Sequence, residues 1–389
     1  MIRFTNTFFL GYIILWPLIF KFILPVDGAG RVYMLLAIIV LLLNMLNRNF
    51  RTVFSKPPVL IWGIWVIYTI FNWFISGYPP PDNLPTSSFL FVYLIMPWLA
   101  MYVAVYESIA RPKLLLQSIH VFLFIYLLLG IVFQINTFGA GKRGGEVLGN
   151  ALPLISLCLT FVACLGYNMK LIKMSSLVSS VILSLLSVLM VATRKAFAGE
   201  IIILFFFILS NIKKLNFKSV FKIVIIVVFF CFCILFILNN TTLGDRFFNI
   251  SDAAEKYNTS DSRLLSLLGD RAYFYISGWE LFIESPMCGI GINNFMNVTD
   301  YPMPIHSEYM VQLAENGIIG FVLYVTFILS IFASVRQIAD SHLRRLSFGW
   351  ILCVLFISFT AWVYDMSLFF IVFGLILGIQ QQNNRYTRS

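Results

Sequence analysis

The chain has 389 residues, of which 60% are hydrophobic and only 11% are charged, and its formal net charge is +10. A soluble domain carries roughly 25% charged residues, so this composition excludes a soluble multidomain protein and indicates that lipid surrounds most of the chain. The basic residues flank apolar runs, and we therefore expect a lipid bilayer and no nucleic acid as partner. Five of the six cysteines lie inside apolar runs, a pattern that predicts neither a disulfide framework nor a zinc site.

Apolar runs in chain order predict about twelve membrane-spanning helices, because about 20 mostly apolar residues are needed to cross roughly 30 Å of hydrocarbon. The predicted spans are 8–25, 30–47, 58–75, 86–106, 114–135, 150–168, 173–193, 196–212, 219–238, 317–335, 346–363 and 366–382. Each is expected to be helical, since unpaired backbone polar groups are not tolerated in lipid. The predicted fold is therefore all-α, with residues 1–389 forming one polytopic integral membrane domain.

The charged residues sort by side of the membrane. If the N-terminus is cytoplasmic, 17 of the 27 Lys and Arg residues fall in short cytoplasmic loops, so the positive-inside rule predicts that both termini are cytoplasmic. Most acidic residues crowd one extracytoplasmic loop, residues 239–316, between the ninth and tenth spans. It is the only loop long enough to form a small structure outside the bilayer, and we expect the chemistry there.

Two helices are predicted inside this loop. Residues 272–285 form an amphipathic pattern after Asp270-Arg271, which Pro286 stops, and residues 310–316 form a short helix that Gly317 ends. Between them, Gly289-Ile290-Gly291 is a weak phosphate-binding signal, and a purely structural turn is the favoured interpretation.

His306 lies at or just before the start of the second of these helices. The positive end of a helix dipole disfavours an imidazolium, so the ring would stay neutral and able to accept a proton. The other two histidines, His120 and His342, fall on the cytoplasmic side of the predicted topology. His306 is therefore the only candidate histidine base outside, and a hydrogen-bonded interfacial histidine is the alternative.

Arg194 lies at the mouth of the hairpin between the seventh and eighth spans. A guanidinium offers a planar fork to phosphate oxygens and keeps its charge, which favours an anion clamp; a snorkelling interfacial anchor is the alternative. Arg271 carries the same two interpretations, and Glu200 is a candidate to neutralise Arg194. Further candidate substrate contacts are Arg143, Lys195, Glu308 and Tyr309; for Arg143, a solvated turn is the alternative.

A longer pattern links these residues. His306-Ser307, nine residues and then Gly317-Ile318-Ile319-Gly320 resemble the His-[Asn/Ser/Gln]-x9-Gly-x-x-Gly signature of the O-antigen ligase and polymerase family. The segment upstream and the outer arginine are similar to that family at Arg194, Arg271, Trp279, Pro286, Gly289, Gly291 and Phe295. The resemblance covers residues 150–335, which include the extracytoplasmic loop.

The resemblance implies a membrane glycosyltransferase of the C-type superfamily. Its donor would be an oligosaccharide linked to undecaprenyl diphosphate on the periplasmic face of the bacterial inner membrane. His306 would be the catalytic base, and Arg194 and Arg271 would bind the diphosphate. The resemblance implies no cofactor and no metal.

Three functions compete. An O-antigen polymerase is favoured over a ligase, because Phe321 stands where the ligase pattern usually has Thr and because the extracytoplasmic loop is short for a ligase. A polymerase would have a chain-length regulator as a candidate partner. A lipid-linked oligosaccharide flippase is the more distant alternative, although transporters usually place ionisable residues near the membrane midplane, and here the charges gather at one face. A membrane scaffold would leave the pattern unexplained.

Overall fold

The structure is a computed structural model that describes residues 2–22, 26–46, 50–76, 90–134, 151–191, 193–212, 270–299 and 304–386. Every regular element in these ranges is a helix. In chain order they are α1 (Ile2–Phe22), α2 (Val26–Met45), α3 (Phe50–Phe54), α4 (Pro57–Ser76), α5 (Leu90–Ala110), α6 (Pro112–Gln134), α7 (Ala151–Asn168), α8 (Met174–Val191), α9 (Arg194–Asn211), α10 (Asp270–Glu284), α11 (Phe295–Thr299), α12 (Glu308–Arg336), α13 (Ser341–Ser358) and α14 (Ser367–Tyr386). The predicted all-α class therefore agrees with the described part of the chain.

Five described helices are long and apolar enough to cross a membrane: α4, α5, most of α6, α8 and α12. Shorter apolar helices lie within α1, α2, α7 and α14. These nine helices coincide with nine of the predicted spans. Helices α9 and α13 coincide with two more, and both carry basic residues near their starts. The ninth span, 219–238, lies outside the described residues, and the total of twelve stays a prediction.

The predicted bounds of α13 are wrong at both ends, since the helix runs over Ser341–Ser358 and not over 346–363. It starts early because the Asp340 side chain accepts hydrogen bonds from the backbone N–H groups of His342 and Leu343, at 2.7 and 3.1 Å. It ends early because the following residues form a loop, 359–366, whose backbone bonds to another helix.

Helices α9 and α13 pack antiparallel. Gly199 lies against Cys353 and Gly349 lies against Phe206, where an added Cβ would come within 3.0 and 2.4 Å of the neighbouring side chain. The His342 ring hydrogen-bonds the Ser210 carbonyl, and Arg345 donates to the Leu209 carbonyl at 3.1 Å. The start of α9 and the end of α13 therefore lie at one end of the bundle.

Two further helix pairs extend this arrangement. Helix α4 runs antiparallel to α12, with the Trp62 and Phe327 ring centroids 4.7 Å apart, and α14 runs parallel to α5, with Gly374 against Ala104 and Gly378 against Ser108. One end of the bundle, the basic end, carries the described cations Lys56, Arg111, Lys113, Lys170, Lys173, Arg336, Arg344 and Arg345. The opposite end, the site end, carries Lys21, Arg31, Arg194, Lys195, Arg271 and His306. The asymmetry fits the positive-inside rule, and the identity of the two sides stays a prediction.

Candidate functional site

Helix α12 is broken at Gly317, whose φ of 63° and ψ of −168° lie outside the helical region. A helix break leaves backbone N–H and C=O groups without partners. Ile318 N–H donates to the Pro286 carbonyl at 2.8 Å, and Ile290 N–H donates to the Ala314 carbonyl at 3.0 Å. The turn after α10 therefore interlocks with the break, and it supplies hydrogen-bond partners for backbone groups on both sides of Gly317.

The glycines of the sequence pattern make this interlock possible. Gly289 has a φ of 69°, and a Cβ there would lie 2.5 Å from the Glu315 carbonyl carbon. A Cβ on Gly317 would lie 2.4 Å from the Met287 carbonyl oxygen. Only glycine lets the two backbones approach this closely. The geometry agrees with the interpretation of Gly289-Ile290-Gly291 as a structural turn.

A carboxylate fills the backbone cradle that this turn forms. Glu315 is buried, and its side chain accepts hydrogen bonds from the backbone N–H groups of Asn293 at 2.7 Å and Phe295 at 3.4 Å. Helix α4 adds two side chains, since Tyr68 Oη donates to the Asn316 carbonyl at 2.7 Å and Asn72 Nδ2 to the Cys288 carbonyl at 2.6 Å. The cradle holds a group of the protein itself, so a phosphate would have to bind elsewhere.

His306 lies directly before this interlocked helix. Ser307 is the extended N-cap residue of α12, which begins at Glu308, two residues before the predicted start at residue 310. The His306 ring is half-buried and packs against two aromatic side chains, with centroid distances of 5.6 Å to Phe274 of α10 and 4.9 Å to Trp362 of loop 359–366. The histidine is therefore held where three separate segments of the chain meet.

Loop 359–366 is the part of the site that sequence reasoning missed. Trp362 Nε1 donates to Asp365 Oδ2 at 3.0 Å, and the Phe359 carbonyl accepts from Tyr275 Oη at 2.6 Å. Burial raises the pKa of Asp365 to about 7, although the hydrogen bond from Trp362 acts in the opposite direction. The only signal in the sequence is Asp365 itself, a single acid between two apolar runs.

The two arginines lie at the same end of the bundle as His306. Arg194 opens α9 after the extended residue Thr193, and the antiparallel packing places it level with the end of α13, where loop 359–366 begins. Arg271 is the second residue of α10, three positions before Phe274, or about 4.5 Å along the helix axis. The fold thus brings Arg194, Arg271 and His306 to one end, and their contact with a diphosphate stays a prediction.

The remaining candidates are placed differently. Lys195 follows Arg194 at the site end and is half-buried, whereas Arg143 lies outside the described residues. Glu308 is fully buried and hydrogen-bonded within the protein, and Tyr309 Oη donates to the Leu355 carbonyl at 3.0 Å. Contact of these four residues with substrate stays a prediction, and for Glu308 and Tyr309 the described structure gives internal roles.

Two further observations concern the charges. Glu200 is fully buried against Thr160 and Ser156 of α7, and within the described ranges its carboxyl makes no ion pair with Arg194. Glu200 is therefore not the ion-pair partner of Arg194. Among the described residues, no group of three His, Cys, Asp or Glu side chains is arranged to hold a metal ion.

The comparison with protein families matches part of the chain. Residues 179–325 match the model of the O-antigen ligase family, a segment that begins in α8, ends in α12 and includes Arg194, Arg271, His306 and the break at Gly317. No curated protein matches the chain. The match supports the resemblance of this segment to O-antigen ligases and polymerases, indicates a function of that type, and does not separate the two activities.

Proposed function

We propose that the protein is an O-antigen polymerase. It transfers the growing glycan from undecaprenyl diphosphate to a hydroxyl of the next lipid-linked repeat unit, on the periplasmic face of the inner membrane. One observation carries the proposal: His306, held between Phe274 and Trp362 at the start of α12, lies at the same end of the bundle as Arg194 within a segment similar to O-antigen ligases.

The chemistry requires these residue types. The acceptor oxygen forms a bond to the anomeric carbon of the donor sugar while the bond from that carbon to the diphosphate oxygen breaks. His306 takes the proton of the acceptor hydroxyl, and its position at a helix start favours the neutral ring needed for this step. Arg194 and Arg271 stabilise the negative charge that develops on the departing diphosphate, which remains on the undecaprenyl chain.

A ligase, which would transfer the finished polysaccharide to lipid A core, is the second candidate. Its pattern usually has Thr after Gly-x-x-Gly, and this chain has Phe321 there. The basic end of the bundle would face the cytoplasm in both cases, because Lys and Arg are retained on that side.

Gel analysis of surface glycans tests the proposal in cells whose only copy carries His306→Ala. Loss of a polymerase leaves single repeat units on the core, because the ligase of the cell still attaches them. Loss of a ligase leaves bare core with polymer on the carrier lipid, and loss of a flippase leaves bare core with no polymer. His342→Ala is the matched control, since His342 lies at the basic end against the Ser210 carbonyl. An unchanged ladder for His306→Ala would remove this residue from the mechanism.

A further inference from the structure

One buried carboxylate holds the loop that contacts His306. Glu308, the first residue of α12, is 0% exposed, and its side chain accepts hydrogen bonds from the backbone N–H groups of Val363 and Tyr364, the latter at 3.2 Å. Its own backbone N–H donates to the Ala361 carbonyl at 3.2 Å. Glu308 therefore binds loop 359–366 on both sides of Trp362.

Trp362 is the residue of this loop that contacts His306. Its ring centroid lies 4.9 Å from that of His306, and its Nε1 donates to Asp365 Oδ2, which fixes the plane of the indole. A histidine can exchange between staggered χ1 rotamers and turn its ring about χ2 unless neighbours restrict it. The orientation of the His306 ring therefore depends on where the loop holds Trp362.

The hydrogen bonds that reach Glu308 from inside the bundle have a fixed direction. Trp65 Nε1 can only donate, and it donates to Gln312 Oε1 at 2.9 Å. Gln312 must then turn its amide nitrogen towards Glu308, where Nε2 donates to Oε1 at 2.8 Å. Both oxygens of Glu308 consequently face donors, Gln312 on one side and the loop on the other, and as long as Gln312 donates, position 308 requires a side chain with two acceptors.

We propose that Glu308 is a positioning residue for His306. By accepting the backbone N–H groups of loop 359–366, it places Trp362 against the imidazole in the orientation in which His306 can take the proton of the acceptor hydroxyl. This role requires no contact between Glu308 and substrate, because its carboxyl is buried and its oxygens accept hydrogen bonds from the protein. The inference rests on the proposed function, which gives His306 the role of base.

An exchange of two residues tests this role. In Glu308→Gln, the new amide nitrogen faces Gln312 Nε2, so that two donors meet; in Gln312→Glu, two carboxylates meet. In the double variant Glu308→Gln/Gln312→Glu, the amide at position 308 accepts from the loop and donates to the carboxylate at position 312, which still accepts from Trp65. Of the three variants, only the double variant sets a donor against an acceptor at every one of these contacts.

The assay uses the purified full-length protein in nanodiscs with lipid-linked repeat units isolated from cells that lack it. We expect each single variant to lower kcat by about 100-fold with KM changed by less than about threefold, because the base is misplaced while donor binding is retained. The double variant should recover to within about fivefold of the wild-type kcat. A side chain that served stability alone would change the melting temperature without this split between kcat and KM.

Three results overturn the inference. The first is a wild-type kcat for Glu308→Gln, and the second is a KM that rises by as large a factor as kcat falls. The third is a folded double variant that is as inactive as the single variants. If the single variants fail to fold, Trp362→Phe and Trp362→Leu decide the question. The phenyl ring keeps the aromatic contact with His306, so Trp362→Phe should retain at least tenfold more activity than Trp362→Leu, and equal activities overturn the inference. Transfer activity that survives His306→Gln would instead remove His306 as the base, and a wild-type protein that does not elongate lipid-linked repeat units would overturn the proposed function.

Discussion

Replacement of Gly317 by alanine should loosen the interlock beneath His306. The φ of 63° and ψ of −168° at this residue belong to a region that is essentially restricted to glycine, and a non-glycine residue there costs about 1–3 kcal/mol. The new Cβ would also lie 2.4 Å from the Met287 carbonyl oxygen and 2.6 Å from Cys288 N, so backbone must move. That movement strains or breaks the bonds of Ile318 and Ile319 to the Pro286 and Met287 carbonyls, each contributing about 1 kcal/mol. We expect a total loss of about 3–5 kcal/mol.

The free energy of unfolding is measured by titration with sodium dodecyl sulfate in mixed micelles, followed by circular dichroism. Gly278→Ala in α10 is the matched control, because the closest atom to its Cβ would be the flexible end of Met310, at 3.0 Å, and the next would be Ile305 Cδ1, at 3.6 Å, inside a regular helix. Alanine gains about 1 kcal/mol of helix propensity there, so the control should be no less stable than the wild-type protein. A Gly317→Ala protein within about 1 kcal/mol of wild type would refute the reasoning, because the backbone contact would then not constrain the fold.

Two further predictions concern the site end. The folded state raises the pKa of Asp365 from 3.8 to about 7 and so favours its neutral form. The stability of the wild-type protein relative to Asp365→Asn should therefore fall as the pH rises from about 4 to about 7. Melting temperatures measured across this range check the sign, and a constant difference would contradict it. Arg194→Lys should retain part of the transfer activity and Arg194→Gln almost none, because a lysine keeps the charge but loses the planar fork that binds two phosphate oxygens. Rates measured with lipid-linked repeat units check the order, and equal losses would count against a bidentate clamp.

Residues that end or interrupt helices made much of the site end predictable from the sequence. Pro286 ends α10 and Gly317 interrupts α12 because each residue restricts or frees its own backbone, independently of the rest of the chain. The placement of His306 at a helix start follows from the same signals. The tertiary contacts did not follow, because the turn at 286–291 and the break at Gly317 lie about 25 residues apart and nothing in either pattern indicates that they bond to each other.

Loop 359–366 shows where hydropathy fails. The run that includes Ala361 and Trp362 is as apolar as a membrane span, so the predicted eleventh span continued to residue 363. The chain leaves the helix at Ser358 because Glu308 offers acceptors to the backbone of Val363 and Tyr364. A buried acid 55 residues away in the sequence thus decides the local structure, and no pattern within the loop encodes that. The roles of Arg194 and Arg271 come from the family resemblance and not from their spacing.

The break in α12 also bears on competition from water. The Ile318 and Ile319 N–H groups and the Ala314, Glu315 and Asn316 carbonyls all have partners within the protein, so none of these groups needs a bound water molecule. Irregular backbone at membrane depth is tolerated when protein groups satisfy it in this way. Under the proposed function, backbone groups below His306 that are already bonded to protein offer no binding site to a water molecule there, which would limit hydrolysis of the donor sugar in competition with its transfer to an alcohol.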